Sequence, residues 1–173
     1  MSMLKAKKQR GFTLLEMVVY VALASLLSVA IMKSLIITTR AFNELRIDRD
    51  INDSAIAIME RLTREIKNAK SIDVVASTFG TATSRLRLNT TDASGTAVTV
   101  EFFVSSSTLH VKENDVDKGA LNSGRTTVNS FVLYRINNVN SSAVKIELFL
   151  SGQRGPTVKQ EVYYDTAVLR DAY

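Results

Sequence analysis

Two hydrophobic periods divide the chain. Over 12–32 nearly every position is apolar, the exceptions being Glu16, Tyr20 and a few Thr and Ser; Lys33 interrupts, and Leu35, Ile36 and Ile37 resume the run. About 20 apolar residues suffice for a helix to cross the hydrocarbon core, so 12–32 is long enough. Beyond Thr38 and Thr39 the pattern turns amphipathic. Ile51, Ala55, Ile58, Leu62 and Ile66 recur at steps of 4, 3, 4 and 4, one face of a helix. Glu60 with Arg64, and Arg61 with Glu65, are i,i+4 pairs expected on its outer surface. Neither Gly nor Pro occurs from Phe12 to Phe79, so the strongest helix breakers are missing. The spacing predicts one helix of about 59 residues, about 88 Å at 1.5 Å per residue. It should end near Lys70, where Lys67 and Lys70 complement the helix dipole.

From Ser71 the period becomes two. Residues 72–76 form a short apolar stretch, and Arg85, Leu86, Arg87 and Leu88 alternate as a strand with one wet face. Residues 90–95 read as a turn or loop. The strongest strand is 97–104, which Ser105, Ser106 and Ser107 turn back into 108–112 as a hairpin. The polar stretch 113–125, with Gly119 and Gly124, reads as a surface loop. Three strands follow at 128–136, 143–150 and 158–164, the last continuing toward Leu169. The expected class is α+β: a long N-terminal helix, half of it apolar and half amphipathic, whose second half covers a single antiparallel sheet. The chain then divides into 1–11, 12–37 (membrane helix), 38–70 (amphipathic helix) and 71–173 (sheet domain).

Charge changes the picture only at the N-terminus. The net charge is +5, from 22 basic and 17 acidic residues. Lys5, Lys7, Lys8 and Arg10 all precede Gly11, and without them 18 basic residues face the 17 acidic ones. Too little basic excess remains for a nucleic-acid-binding face. A basic segment ahead of an apolar run is better read as an anchor with its N-terminus in the cytoplasm. The chain has no cysteine, hence no disulfide framework and no thiolate site.

Glu16 is the costly residue. A carboxylate in a membrane helix costs about 2.5–3.5 kcal/mol on insertion scales, and such a cost calls for a partner. The first 16 residues suggest one: cleavage after Gly11 would create a new α-amino group at Phe12, close in depth to a neighbouring subunit's Glu16.

Residues Lys7-Lys8-Gln9-Arg10-Gly11-Phe12-Thr13-Leu14-Leu15-Glu16 resemble the class III signal of type IV pilins and pseudopilins: a short basic leader ending in Gly, then Phe, Thr, two apolar residues and Glu, then a long apolar helix. The resemblance implies a pilin-like fold. It implies that a prepilin peptidase cuts between Gly11 and Phe12 and methylates the Phe12 amino group. It further implies that Glu16 sets subunit register, that 14–37 pack in a filament core, and that the partners are other pilins or pseudopilins, an inner-membrane assembly platform and membrane lipid. Residues 58–66 resemble the J-type and W-type minor members, which initiate or tip the filament. Lys33 stands where many family members have a proline.

Asp115 and Asp117, beside Glu113 and Asn114, are a weak calcium candidate without EF-hand spacing; no other metal or cofactor is expected. The chain has no Gly-x-Ser-x-Gly elbow, P-loop or dinucleotide fingerprint, and its single histidine, His110, has no second ligand. An enzyme's substrate is therefore expected, not an enzyme. Two alternatives stay open. One is a competence-type pilin that binds DNA through a cluster of Arg85, Arg87, Lys112, Lys118, Arg125 and Lys145. The other is an exported globular protein whose signal peptide is discarded after Ala22-Leu23-Ala24 or Ser28-Val29-Ala30.

Overall fold

In a computed structural model describing residues 13–138 and 141–169, helix α1 spans Leu14–Asn68. The chain forms two compact units, Met1–Phe42 and Asn43–Tyr173.

In the first unit the helix carries its apolar side chains outward. Leu14 and Leu15 are 84% and 75% exposed, and none of the most apolar stretch is buried. By length and composition this helix can cross a membrane. Its hydroxyls turn inward on their own backbone: Ser25 Oγ donates to Ala22 O, Ser28 Oγ to Ala24 O and Thr39 Oγ1 to Leu35 O, each at 2.8 Å. That leaves those donors satisfied without water, as hydrocarbon requires.

In the second unit the predicted helix face is the core. Ile51, Ala55, Ile58, Leu62 and Ile66 are all buried, joined by Ile47 and Ser54. The helix ends at Asn68, two residues short of Lys70. Thr90 Oγ1 caps the Asn68 carbonyl, and Lys70 N already donates to Asn89 O.

Among the described residues eight strands follow: β1 (Ser71–Ile72), β2 (Leu86–Thr91), β3 (Ala97–Ser105), β4 (Thr108–Glu113), β5 (Val116–Ala120), β6 (Thr126–Asn138), β7 (Ser141–Arg154) and β8 (Thr157–Val168). They make two antiparallel sheets, β1-β2-β3-β4-β5 and β6-β7-β8, where one was expected. Single polar side chains cause the division. Asn122 Oδ1 accepts from Leu109 N and its Nδ2 donates to Thr126 O, so a side chain replaces the ladder beyond β5 and leads the chain away. The segment before β2 lies along β6: Phe131 N donates to Ala82 O, and Ser84 N donates to Phe131 O. The fully buried Ser84 hydroxyl fixes this joint, donating to Thr81 O and accepting from Leu133 N.

Two loops expected from composition are partly strand. β2 continues through Thr91 before the turn at Asp92. Within 113–125 lies β5, reached by a two-residue turn in which Asn114 and Asp115 have φ of 50° and 64°, the conformation that hairpin turns favour. β5 is an edge strand, exposed at four of its five positions, so it has no apolar alternation to read. The β3–β4 hairpin turns at Ser106 and Ser107 as expected.

Inward residues of both sheets join the helix in one core. Leu86, Leu88, Phe102, Leu109, Phe131, Leu133, Ile146 and Leu148 are each fully buried.

Candidate functional site

The start of α1 is built by its own sequence. Thr13 caps it: Glu16 N donates to Thr13 Oγ1 at 3.3 Å, and Met17 N to Thr13 O at 3.2 Å. Thr-x-x-Glu is the capping-box spacing, and a carboxylate in the first turn suits the helix dipole. Glu16 is half-buried, and Tyr20 Oη, one turn on, donates to its Oε1 at 3.3 Å. Neither contact neutralises the charge, and among the described residues no ion pair reaches Glu16. The capping spacing was legible in the sequence; the Tyr20 contact follows from i,i+4 geometry and was missed. Lys5, Lys7, Lys8, Arg10, Gly11 and Phe12 lie outside the described residues.

Insertion of this segment is favourable despite the acid. Residues 13–37 hold thirteen Leu, Val and Ile, worth about 0.3–0.6 kcal/mol each at the helix centre, or roughly 4–8 kcal/mol together. That exceeds the cost of Glu16. Lys33 lies nearer the end of the apolar run, where a long cationic side chain can reach the interface.

Of the basic residues of the DNA-binding alternative, Arg85, Arg87 and Lys112 gather around Glu101 and Phe103 on one sheet, and all six lie against carboxylates or a ring. Arg85 and Arg87 flank the buried Glu101 at 3.3 and 3.4 Å, and Arg87 also pairs with Asp115 at 3.0 Å. Lys112 lies 4.3 Å from the centroid of the Phe103 ring. Lys118 pairs with Glu113 at 3.8 Å, Arg125 with Asp50 at 4.0 Å, and Lys145 with Glu147 at 2.8 Å. The carboxylates raise the Arg87 and Lys145 pKa values, Asp115 acting first on the former and Glu147 on the latter.

The calcium candidates are likewise held by protein groups. Asp115 is taken by Arg87. Asp117 accepts from Gly119 N at 2.8 Å and faces His110 Nδ1 at 3.1 Å; the Gly119 amide, and then His110, hold its pKa below the usual carboxylate range. Among the described residues no group of three or more acidic or histidine side chains is placed to hold a metal.

Arg61 departs from expectation. Its pair with Glu65, at 3.0 Å, does not lie on a solvated outer face, because Arg61 also reaches Glu113 of β4 at 2.7 Å. These residues line a groove of about 510 Å³ with Asn68, Thr90 and Lys118. Its principal charges are paired within the fold.

Residues 6–32 match the family model described as the prokaryotic N-terminal methylation motif. Neither a curated protein nor a solved structure matches the chain. The motif implies processing by a prepilin peptidase and assembly with other pilins, and the exposed apolar helix fits a membrane-anchored pilin. That motif at the head of α1, with antiparallel sheets packed on the second half of the helix, marks a type IV pilin-like architecture and prepilin-type processing.

Proposed function

We propose that this subunit is a minor pilin or minor pseudopilin, which initiates or tips a type IV pilus or a type II secretion pseudopilus. Cleavage follows Gly11, Phe12 becomes the methylated N-terminus, and Glu16 pairs with the Phe12 amino group of a neighbour. The observation that carries the reading is Glu16 itself, a capped first-turn carboxylate without a cationic partner among the described residues, on a helix whose apolar surface is uncovered. Buried ion pairs are weak stabilisers but good markers of register, so the pair sets stagger between subunits. The leader cations keep the N-terminus in the cytoplasm and the sheet domain outside it. Lys33 and the J/W-like segment 58–66 support a minor role over bulk filament. The chain performs no catalysis of its own; the energy for assembly comes from the partner machinery.

Intact-mass analysis of the membrane-extracted protein tests the processing. A chain beginning at Phe12 with one added methyl is expected, and a start near Ser25 or Ile31 would overturn the reading. Glu16→Val should insert normally yet be missing from sheared filaments. Glu16→Gln, which keeps an oxygen for Tyr20, should be missing as well, since charge sets the register. Normal assembly of both variants would sink the register role.

A further inference from the structure

Four arginines gather around one carboxylate in the second unit. Arg46 and Arg49 come from α1, one turn apart on the same face; Arg125 precedes β6, and Arg154 ends β7. With Asp50 they line a pocket of about 340 Å³. Asp50 orients two of them, pairing with Arg154 at 3.4 Å and Arg125 at 4.0 Å. It is itself fixed, because its carbonyl accepts from Ser54 Oγ and Thr126 Oγ1. Arg46 and Arg49 are exposed and have no carboxylate within ion-pair distance among the described residues. Four guanidinium groups against one carboxylate leave three positive charges on the pocket wall. Guanidinium groups recognise phosphate oxygens in paired, forked hydrogen bonds.

We infer that this pocket binds the phosphate of an anionic phospholipid headgroup. The inference rests on the membrane-anchored reading and adds a second, specific tie to the bilayer. Chain connectivity favours a lipid. Arg46 follows Ile37, the end of the apolar run, by only nine residues. Even a fully extended chain puts it within about 32 Å of that point. The intervening stretch is basic too: over 33–49, Lys33, Arg40, Arg46 and Arg49 face Glu44 and Asp48, and Asp48 is already held by Lys159 at 2.7 Å. The headgroup layer offers phosphate at high local concentration, and each basic residue near an anionic surface adds about 1 kcal/mol of attraction.

The test uses the full chain in nonionic micelles doped with phosphatidylglycerol or phosphatidylcholine, with retained lipid counted by native mass spectrometry. Phosphatidylglycerol should be retained in preference. Arg46→Gln with Arg49→Gln should weaken that retention about 30-fold, for two lost cations. Both sites are exposed, and an unchanged circular dichroism spectrum verifies the fold. Lys33→Gln should keep the preference, which separates the pocket from the membrane segment's own charge. Equal retention of both lipids, or undiminished retention by the double variant, overturns the inference. Displacement of the lipid by millimolar inorganic phosphate reassigns the pocket to a free anion, and displacement by a polyglutamate peptide reassigns it to an acidic protein; either result also overturns it. Recovery of the chain in the membrane fraction is scored separately. A chain that is anchored without headgroup preference refutes the pocket alone; a chain absent from membranes refutes the reading beneath it.

Discussion

At Gly152 the three-stranded sheet approaches the helix closely. A Cβ added there would stand 2.8 Å from Ile47 Cγ2, 3.2 Å from Ile51 Cγ1 and 3.4 Å from Ile51 Cδ1. The first distance is below van der Waals contact, and the methyl it meets is a β-branch fixed on a buried helix face. Gly152→Ala therefore forces α1 and β7 apart or drives Ile47 off its rotamer, at about 1–3 kcal/mol for overpacking. Stiffening the unfolded chain returns about 0.4–1 kcal/mol, since the backbone there is not left-handed. A net loss of roughly 1–2 kcal/mol remains, or about 3–6 °C in Tm for a unit of this size. Thermal melts of the full chain in detergent, followed by circular dichroism, measure it. The atomic cause can be isolated. Ile47→Leu removes the offending Cγ2 methyl with little change in volume, so it should recover part of the loss in the double variant even though it is mildly destabilising alone. If Gly152→Ala melts at or above wild type, or Ile47→Leu adds to its cost without rescue, the close approach is not what holds glycine at this position.

Ser54 is a buried hydroxyl within hydrogen-bonding distance of Asp50 O, Thr126 Oγ1 and Ser123 N. Ser54→Ala should cost about 1–3 kcal/mol in urea unfolding by leaving those groups short of a partner. Tyr163 Oη donates to Asn52 Oδ1 at 2.6 Å and lies 2.9 Å from a Glu161 oxygen. Burial first, then the Glu161 carboxylate, push its pKa up to about 12. The folded state thus favours the protonated phenol, and this stability is whole below about pH 10 and lost as pH rises toward 12. Tyr163→Phe should remove a phenolate transition near pH 12 from the absorbance titration and blunt the alkaline fall in Tm. Lys159, raised by Asp48, contributes in the same direction and should keep a residual fall in place. At the acid end, Asp92 is held below its ordinary range by the Ser94 hydroxyl and then by the Thr96 amide. Its contribution is present above the unfolded carboxylate pKa, near 4, and lost as pH falls through the lower folded value. Carboxyl NMR titration should find Asp92 and Asp117 ionising below the ordinary carboxylate range, and Asp92→Asn should flatten the acid limb of the stability profile.

What could be read in advance depended on how many residues each feature needed at once. The core face of α1 was legible because Ile51 through Ile66 repeat without a Gly or Pro to break the period, and every one of those positions is buried. The β3–β4 hairpin was legible because its alternation and its turn lie next to each other in the chain. β5 was not, since an edge strand with both faces wet carries no period to detect. The division into two sheets was not either. It rests on Asn122 and Ser84, two polar side chains that take over ladder positions at the joint between the sheets. Arg61 was misplaced on the solvated face for the same reason: its second partner, Glu113, is set by the packing of β4 on the helix. The arginine pocket is the extreme case, assembled from three separate parts of the chain. The prepilin signal lies at the other end of this scale. A processing enzyme reads a contiguous segment, so its information must be local, and the residues that carry it are legible before any fold exists. Glu16 belongs to both regimes. Its capping spacing is complete within one turn of one chain, whereas its charge finds no ion-pair partner among the described residues. That is why a single sequence reveals the residue's position and its cost, while its partner has to be argued from chemistry.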